Sequence, residues 1–234
     1  MNNGKMMNKS VEIEIVAESK ELYIFFGGIA AGIAMPPFEF YNAAKIINSN
    51  KIFIRDFTQS WYQNGLALIS EDIDGTVRFI QLKINELKAE KIFFVGNSMG
   101  GFAAILFCNL LQTGQAIAFA PQTFISPLKR LIYRDSRWTL QILNTYKTSL
   151  FKSKIWDLKS FLLKINKIQP TSIYVCTNDK LDYLHAKNIS QLPNITINEF
   201  NVGGHDIVKI LRDAGLLPAI MSGNYKNIKL ESSL

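Results

Sequence analysis

Ile92-Phe93-Phe94-Val95-Gly96-Asn97-Ser98-Met99-Gly100-Gly101-Phe102-Ala103-Ala104 decides the fold of this chain. A run of β-formers leads into Gly-Asn-Ser-Met-Gly, and small and apolar residues follow at once, so the stretch spells strand, tight turn, helix. A serine in such a turn has a cramped backbone, and glycines two residues to either side remove the Cβ atoms that would collide there. The turn lifts the hydroxyl above the end of the sheet. It also aims the first backbone N–H groups of the helix at any negative charge that forms beside that hydroxyl.

Outward from this stretch, apolar runs alternate with longer amphipathic segments, the pattern of a mostly parallel sheet with helices on both faces. Strands are predicted at 11–17, 22–26, 51–57, 92–95, 116–120, 172–176 and 195–200. The first alternates polar and apolar residues, as a half-exposed edge strand does. Helices are predicted at 38–47, 73–87, 98–111, 181–191 and 206–214. In 73–87, Ile73, Val77, Ile80, Ile84 and Leu87 recur every three to four residues. Residues 121–170 break the alternation, and their scattered Leu, Ile, Trp and Phe suggest two or three short helices. An insertion there lies over the strand ends, where open α/β sheets bind ligands. The expected organisation is a core of 1–120 and 171–234 carrying a helical cap of 121–170.

Bulk properties narrow the class. The chain has 234 residues, 48% of them hydrophobic, and a mean hydropathy near zero, which fits one soluble domain with a sizeable core. Its longest apolar stretch, 23–40, is broken by Gly27, Gly28, Gly32, Pro36 and Pro37, so no transmembrane segment is expected. Residues 1–20 carry Glu12, Glu14 and Glu18 and no continuous apolar block, so no secretory signal is visible. Cys108 and Cys176 lie in apolar segments and read as buried free thiols, which suits a reducing cytoplasm. No Cys/His spacing suggests a metal, and residues 27–32 lack a dinucleotide fingerprint, so no cofactor is expected. The net charge of +7 is uneven. Residues 121–170 hold ten basic and two acidic residues, a net of +8, which leaves the other 184 residues at −1. Such a segment fits an anionic substrate, or simply a solvated helical face with snorkelling lysines. No recognition motif accompanies the charge, so nucleic acid is not an expected partner.

In this order of elements, with Gly96-Asn97-Ser98-Met99-Gly100 as the elbow, the chain resembles the α/β-hydrolase fold superfamily over nearly all of its length after residue 10. The resemblance implies a nucleophile, then an acid after a later strand, then a histidine near the C-terminus. Here the strand at 172–176 leads into Thr177-Asn178-Asp179-Lys180-Leu181-Asp182, and the last strand into Val202-Gly203-Gly204-His205-Asp206. Ser98 is the implied nucleophile and His205 the implied base. Of the two histidines, His185 falls inside a predicted helix and reads as a packing residue. Asp179, three residues past its strand, is the first choice for the acid. Asp182 is the alternative acid, with capping of the following helix as its competing role. The implied oxyanion donors are the N–H of Met99 and one from Gly28 or Ile29. Arg55-Asp56-Phe57 with Trp61-Tyr62 reads equally as pocket lining or as an ion pair beside core aromatics. The implied activity is cleavage of an ester or thioester, on a small-molecule or carrier-bound acyl substrate, through an acyl-serine. An acyltransferase with the same residues and a non-catalytic acyl-binding protein are the alternatives.

Overall fold

Within each central strand, alternate residues are buried on opposite sides of one sheet. Leu22, Ile24, Phe26, Ile92 and Phe94 pack into one apolar layer, while Tyr23, Phe25, Phe93 and Val95 pack into the other. A sheet apolar on both faces must be covered on both, which accounts for the near-continuous hydrophobic runs of these strands. The computed structural model describes residues 9–29, 39–148 and 154–223. Its strands are β1 (Val11–Glu14), β2 (Glu21–Phe26), β3 (Asn50–Ile54), β4 (Lys91–Asn97), β5 (Gln115–Phe119), β6 (Thr171–Cys176) and β7 (Ile195–Phe200). They lie in the order β1-β3-β2-β4-β5-β6-β7. Only β1 is antiparallel, pairing with β3 at the edge; the other neighbours are parallel. After β3 the chain crosses to the other side of β2. The strand order therefore reverses beside β2 and β4, and a crevice opens at their carboxyl ends.

Helix α1 (Ile73–Glu86) starts where the Asp72 carboxylate accepts the N–H of Gly75, and it buries Ile73, Thr76, Ile80 and Ile84. Helix α2 (Met99–Leu110) is buried at eleven of its twelve positions, as an apolar helix with no polar face must be. Between β5 and β6 come α3 (Pro127–Tyr133), α4 (Thr139–Thr148) and α5 (Leu158–Leu162). The segment is pinned at its root, where Ile125 N–H donates to the Trp156 carbonyl (2.7 Å) and Leu158 N–H to that of Thr123 (2.9 Å). Leu158 and Leu162 of α5 then pack into the body. On the second face lie α7 (Ile207–Asp213) and α8 (Leu217–Met221). The latter, with Pro218 in its first turn, is absent from the sequence-based expectation. So is the form taken at 38–47. Residue 38 falls outside the described residues, and the remainder holds only a 3₁₀ turn, Ala43–Ile46. Helix α6 (Lys180–Ile189) follows β6. Cys108 and Cys176 are free and buried. No helix among the described residues is long and apolar enough to cross a membrane.

Candidate active site

Ser98 sits between β4 and α2 with φ +56° and ψ −117°, a sparsely populated conformation that costs about 1–3 kcal/mol. The flanking glycines make it possible. A Cβ on Gly96 would lie 2.1 Å from the Gly100 carbonyl oxygen, and one on Gly100 would lie 2.1 Å from that of Phe26. Both collisions are with backbone, which has no rotamer to give. Ser98 N–H donates to the Phe119 carbonyl at the end of β5 (2.9 Å), and the Ser98 carbonyl accepts from Gln122 N–H (3.2 Å). Met99 is the first residue of α2, so its N–H has no intrahelical acceptor.

His205 reaches Ser98 from the turn after β7. Its Nε2 lies 3.1 Å from Ser98 Oγ, and its Nδ1 lies 2.6 Å from Asp182 Oδ2. An ionised carboxylate only accepts, so Nδ1 carries the proton and Nε2 is left to accept from the serine hydroxyl. The carboxylate on His205 is therefore that of Asp182, and the first choice, Asp179, is corrected. Asp179 is the N-cap of α6, and its Oδ1 accepts from the N–H groups of Leu181 and Asp182 at 3.1 and 3.0 Å. Asp182, one turn in and 1% exposed, points from the helix to the imidazole. The two candidate roles are thus exchanged relative to the sequence-based expectation.

Behind Asp182 runs a buried chain of charges that the sequence did not single out. Arg137, between α3 and α4, donates Nη1 to Asp182 Oδ1 at 2.7 Å. Its Nε and Nη2 hold Asp135 at 3.1 Å each. His185 Nε2 lies 2.9 Å from Asp135 Oδ2, and its ring stacks on Phe124 at 4.0 Å. Burial disfavours charge on Asp182, but its bonds to His205 and Arg137 outweigh that and hold the carboxyl below its usual range. Asp135 is held well below it in the same way, against burial, by His185 and Arg137. The hydrogen bond to Asp182 raises the His205 pKa, with burial opposing in part. Burial lowers that of His185, with the hydrogen bond to Asp135 opposing.

On the other side of Ser98, Glu39 is a second unforeseen residue. Its Oε2 accepts the N–H of Gly28 (2.6 Å) and its Oε1 that of the Asn97 side chain (3.0 Å). Burial pushes its carboxyl up, with both donors opposing. Of the expected oxyanion donors, Gly28 N–H is thus engaged by a carboxyl group, while Ile29 lines the cavity above Ser98. That cavity holds about 700 Å³, with Ser98, His205, Glu39, Trp138 and Arg55 among its lining residues and Phe40, Val208 and Leu217 in its apolar walls. Arg55 also stacks over Phe57 at 4.8 Å. Asp56 instead ties down the next turn, accepting from the N–H groups of Thr58, Ser60 and Tyr62, and Trp61 and Tyr62 are fully buried core.

One trio among the described residues, Asp179, Asp182 and His205, brings His and carboxylate ligand atoms within 4.8 Å of one another. Its chemistry does not suit a divalent ion. Both Asp182 oxygens are committed to His205 and Arg137, and the guanidinium already balances the charge a cation would need.

Searches with the sequence match no family model and no curated protein. The fold, by contrast, has many counterparts among solved structures. The capsule O-acetyltransferase of Neisseria meningitidis serogroup A, in complex with caged gadolinium, aligns over 91% of both chains with a TM-score of 0.64 at 17% identity. The fluorophosphonate-binding serine hydrolase FphF of Staphylococcus aureus aligns over 93% of both, with a TM-score of 0.63 at 16% identity. MenH from S. aureus covers 92% of this chain and 98% of its own, with a TM-score of 0.59 at 17% identity. The chain has the α/β-hydrolase fold.

Proposed function

We propose that this α/β-hydrolase-fold chain is a serine enzyme that cleaves an ester or thioester through an acyl-Ser98 intermediate. One observation carries the reading: the unbroken hydrogen-bonded series Ser98 Oγ, His205, Asp182, with the serine in a strained elbow at the floor of a cavity. A serine hydroxyl is a weak nucleophile until a base takes its proton during attack. His205 Nε2 is the base, and Asp182 fixes the tautomer and stabilises the imidazolium that forms. The bond from Ser98 Oγ to the acyl carbon forms as the carbonyl π pair moves onto oxygen. The Met99 N–H, backed by the α2 dipole, faces that oxyanion. Collapse expels the alcohol or thiol leaving group, which takes its proton from His205. Water, activated by the same imidazole, then releases the acid.

Acyl transfer to a hydroxyl acceptor is the second reading, and the specific observation in its favour is the likeness to a capsule O-acetyltransferase. The acyl-serine is common to both, and a cavity of about 700 Å³ has room for an acceptor beside the acyl group. A non-catalytic acyl-binding role has less support, since nothing would then require the strain at Ser98. The test is a fluorophosphonate probe, followed by a panel of p-nitrophenyl esters and acyl thioesters with and without alcohol acceptors. Wild type is expected to label and turn over, and Ser98→Ala to do neither. Labelling that persists in Ser98→Ala overturns the assignment, and product partitioning towards the acceptor selects transfer over hydrolysis.

A further inference from the structure

Helix α3 buries none of its seven residues. Its apolar side chains stand in water instead. Leu128, Leu131 and Ile132 are 68%, 77% and 61% exposed, and their spacing puts them on one face of the helix. Leu140 and Leu143 of α4 are 80% and 48% exposed. Arg130 joins the two helices, donating to the Arg137 carbonyl (2.8 Å) and to Thr139 Oγ1 (3.2 Å). Seven of the thirteen exposed large hydrophobic side chains among the described residues lie between 121 and 170. Apolar residues scattered singly over a surface are ordinary, but this concentration is not.

The charge around these residues has one sign. Asp135 and Asp157, the segment's two acids, point inward with side chains 4% and 11% exposed. They are spent on Arg137 and His185, and on Lys129, respectively. Arg134, at the C-cap of α3, and Lys147, in α4, are exposed, and among the described residues no carboxylate comes within ion-pair distance of them. Among the described residues, the outward side of α3 and α4 therefore carries basic and apolar side chains, with both of the segment's own acids turned inward.

We propose that the α3–α4 face docks on an anionic phospholipid bilayer, its Leu and Ile side chains entering the headgroup region and its basic residues meeting lipid phosphates. Basic residues with interleaved bulky apolar ones are the composition that binds such a surface. A second copy of this chain is a poor occupant, because two like-charged faces repel. An acidic protein would match the charge. Three aliphatic side chains more than 60% exposed on a helix with no buried residue suit better a fluid apolar phase, which needs no complementary shape. Trp138, in the joint between the two helices, also lines the cavity above Ser98. Docking would thus hold the cavity against the bilayer.

The test is co-sedimentation of the full chain with vesicles of phosphatidylcholine alone and of phosphatidylcholine mixed with phosphatidylglycerol, at low and high salt. Binding is expected to the mixed vesicles only and to weaken at least about tenfold in high salt. Lys147→Gln is expected to weaken it about fivefold. The double variant Leu131→Ser, Leu140→Ser is expected to weaken it by about a hundredfold, with an unchanged melting temperature because both side chains are exposed. Ser98→Ala is expected to bind like wild type, so a failure of the hydrolase reading leaves this result standing. Three results overturn the proposal: no binding to anionic vesicles at low salt, binding indifferent to the two leucines, or leucine-dependent capture of a second copy or an acidic carrier protein in place of vesicles.

Discussion

Replacing Asp182 and Asp179 separately by asparagine gives the sharpest test of the site. In Asp182→Asn the new side chain sits between two demanding neighbours. Arg137 Nη1, 2.7 Å from Oδ1, has no acceptor capacity and will take the amide oxygen. That turns the NH₂ group towards His205 Nδ1, 2.6 Å from Oδ2, and only an unprotonated Nδ1 can receive it. The imidazole proton then resides on Nε2, where it faces Ser98 Oγ and cannot accept the serine proton. The carboxylate charge that would stabilise the imidazolium is lost as well. The expected cost is about 10⁴ in kcat, or about 5.5 kcal/mol of transition-state stabilisation. Asp179→Asn keeps a side chain that caps a helix equally well, so stability should move by only a few tenths of a kcal/mol and the rate by less than tenfold. Asp179 lies within 4.8 Å of the same imidazole, so it is the group that would take over if Asp182 were dispensable. The assay is the rate of fluorophosphonate inactivation together with p-nitrophenyl ester turnover, for both variants, with thermal melts as the folding control. A loss in Asp179→Asn equal to or larger than that in Asp182→Asn, with both proteins folded, would refute the assignment.

Because the Asp182 hydrogen bond raises the His205 pKa and the base must be neutral, the acid limb of the kcat/KM profile is expected above the ordinary imidazole value near 6.5. The sign for stability is opposite. The raised His205 contributes fully below about pH 6.5 and loses its contribution as pH rises through its folded value, while the lowered Asp182 loses its own as pH falls below about 4, so denaturant titrations should find the pair most stabilising between those limits. Arg137→Met strands Asp135 and Asp182, whose side chains are 4% and 1% exposed, and should cost about 3–5 kcal/mol in urea unfolding. Its charge also depresses the His205 pKa, so the acid limb of any folded Arg137→Met should move further up in pH. Gly100→Ala drives a Cβ to 2.1 Å from the Phe26 carbonyl oxygen and should cost more than about 4 kcal/mol, read as loss of the folded baseline in a thermal melt.

What was legible in the sequence, and what was not, divides along the range of the interactions involved. All seven strands announce themselves because each buries both faces or alternates at an edge, and burial of that kind is written in consecutive residues. The elbow is legible because Gly96 and Gly100 answer collisions within a few residues and one neighbouring strand. The Ala43–Ile46 turn is a miss of another kind. Its segment has an apolar spacing that suits a helix, but Phe40, with φ +64°, breaks the helical path before it starts. The order of the two aspartates does carry a local signal. Asp179-Lys180-Leu181-Asp182 has the three-residue spacing of a capping motif, in which the first residue bonds the N–H groups of the first turn and the fourth stands inside the helix. Read that way, Asp179 is committed to the backbone and Asp182 is left free for His205.

Arg137 carries no such signal, because 45 residues separate it from Asp182 and only the fold brings them together. Counting charges along the chain treats Arg137 as one more positive residue in a basic segment, and Asp135 as a partial offset to its neighbours. Both assignments change once the side chains are in place. Arg137 spends its charge inward, on two carboxylates, one of which holds His205. Asp135 and Asp157 are likewise withdrawn from the surface. A net of +8 that looked like a property of a whole segment thus separates into two parts with different work. The inward part ties the α3–α4 joint to the carboxylate behind the candidate base. The outward part is left without an acid of its own beside largely exposed leucines. A change at Arg137 should therefore register in the pH profile and a change at Lys147 should not. That contrast can be measured with the same inactivation assay on two single variants.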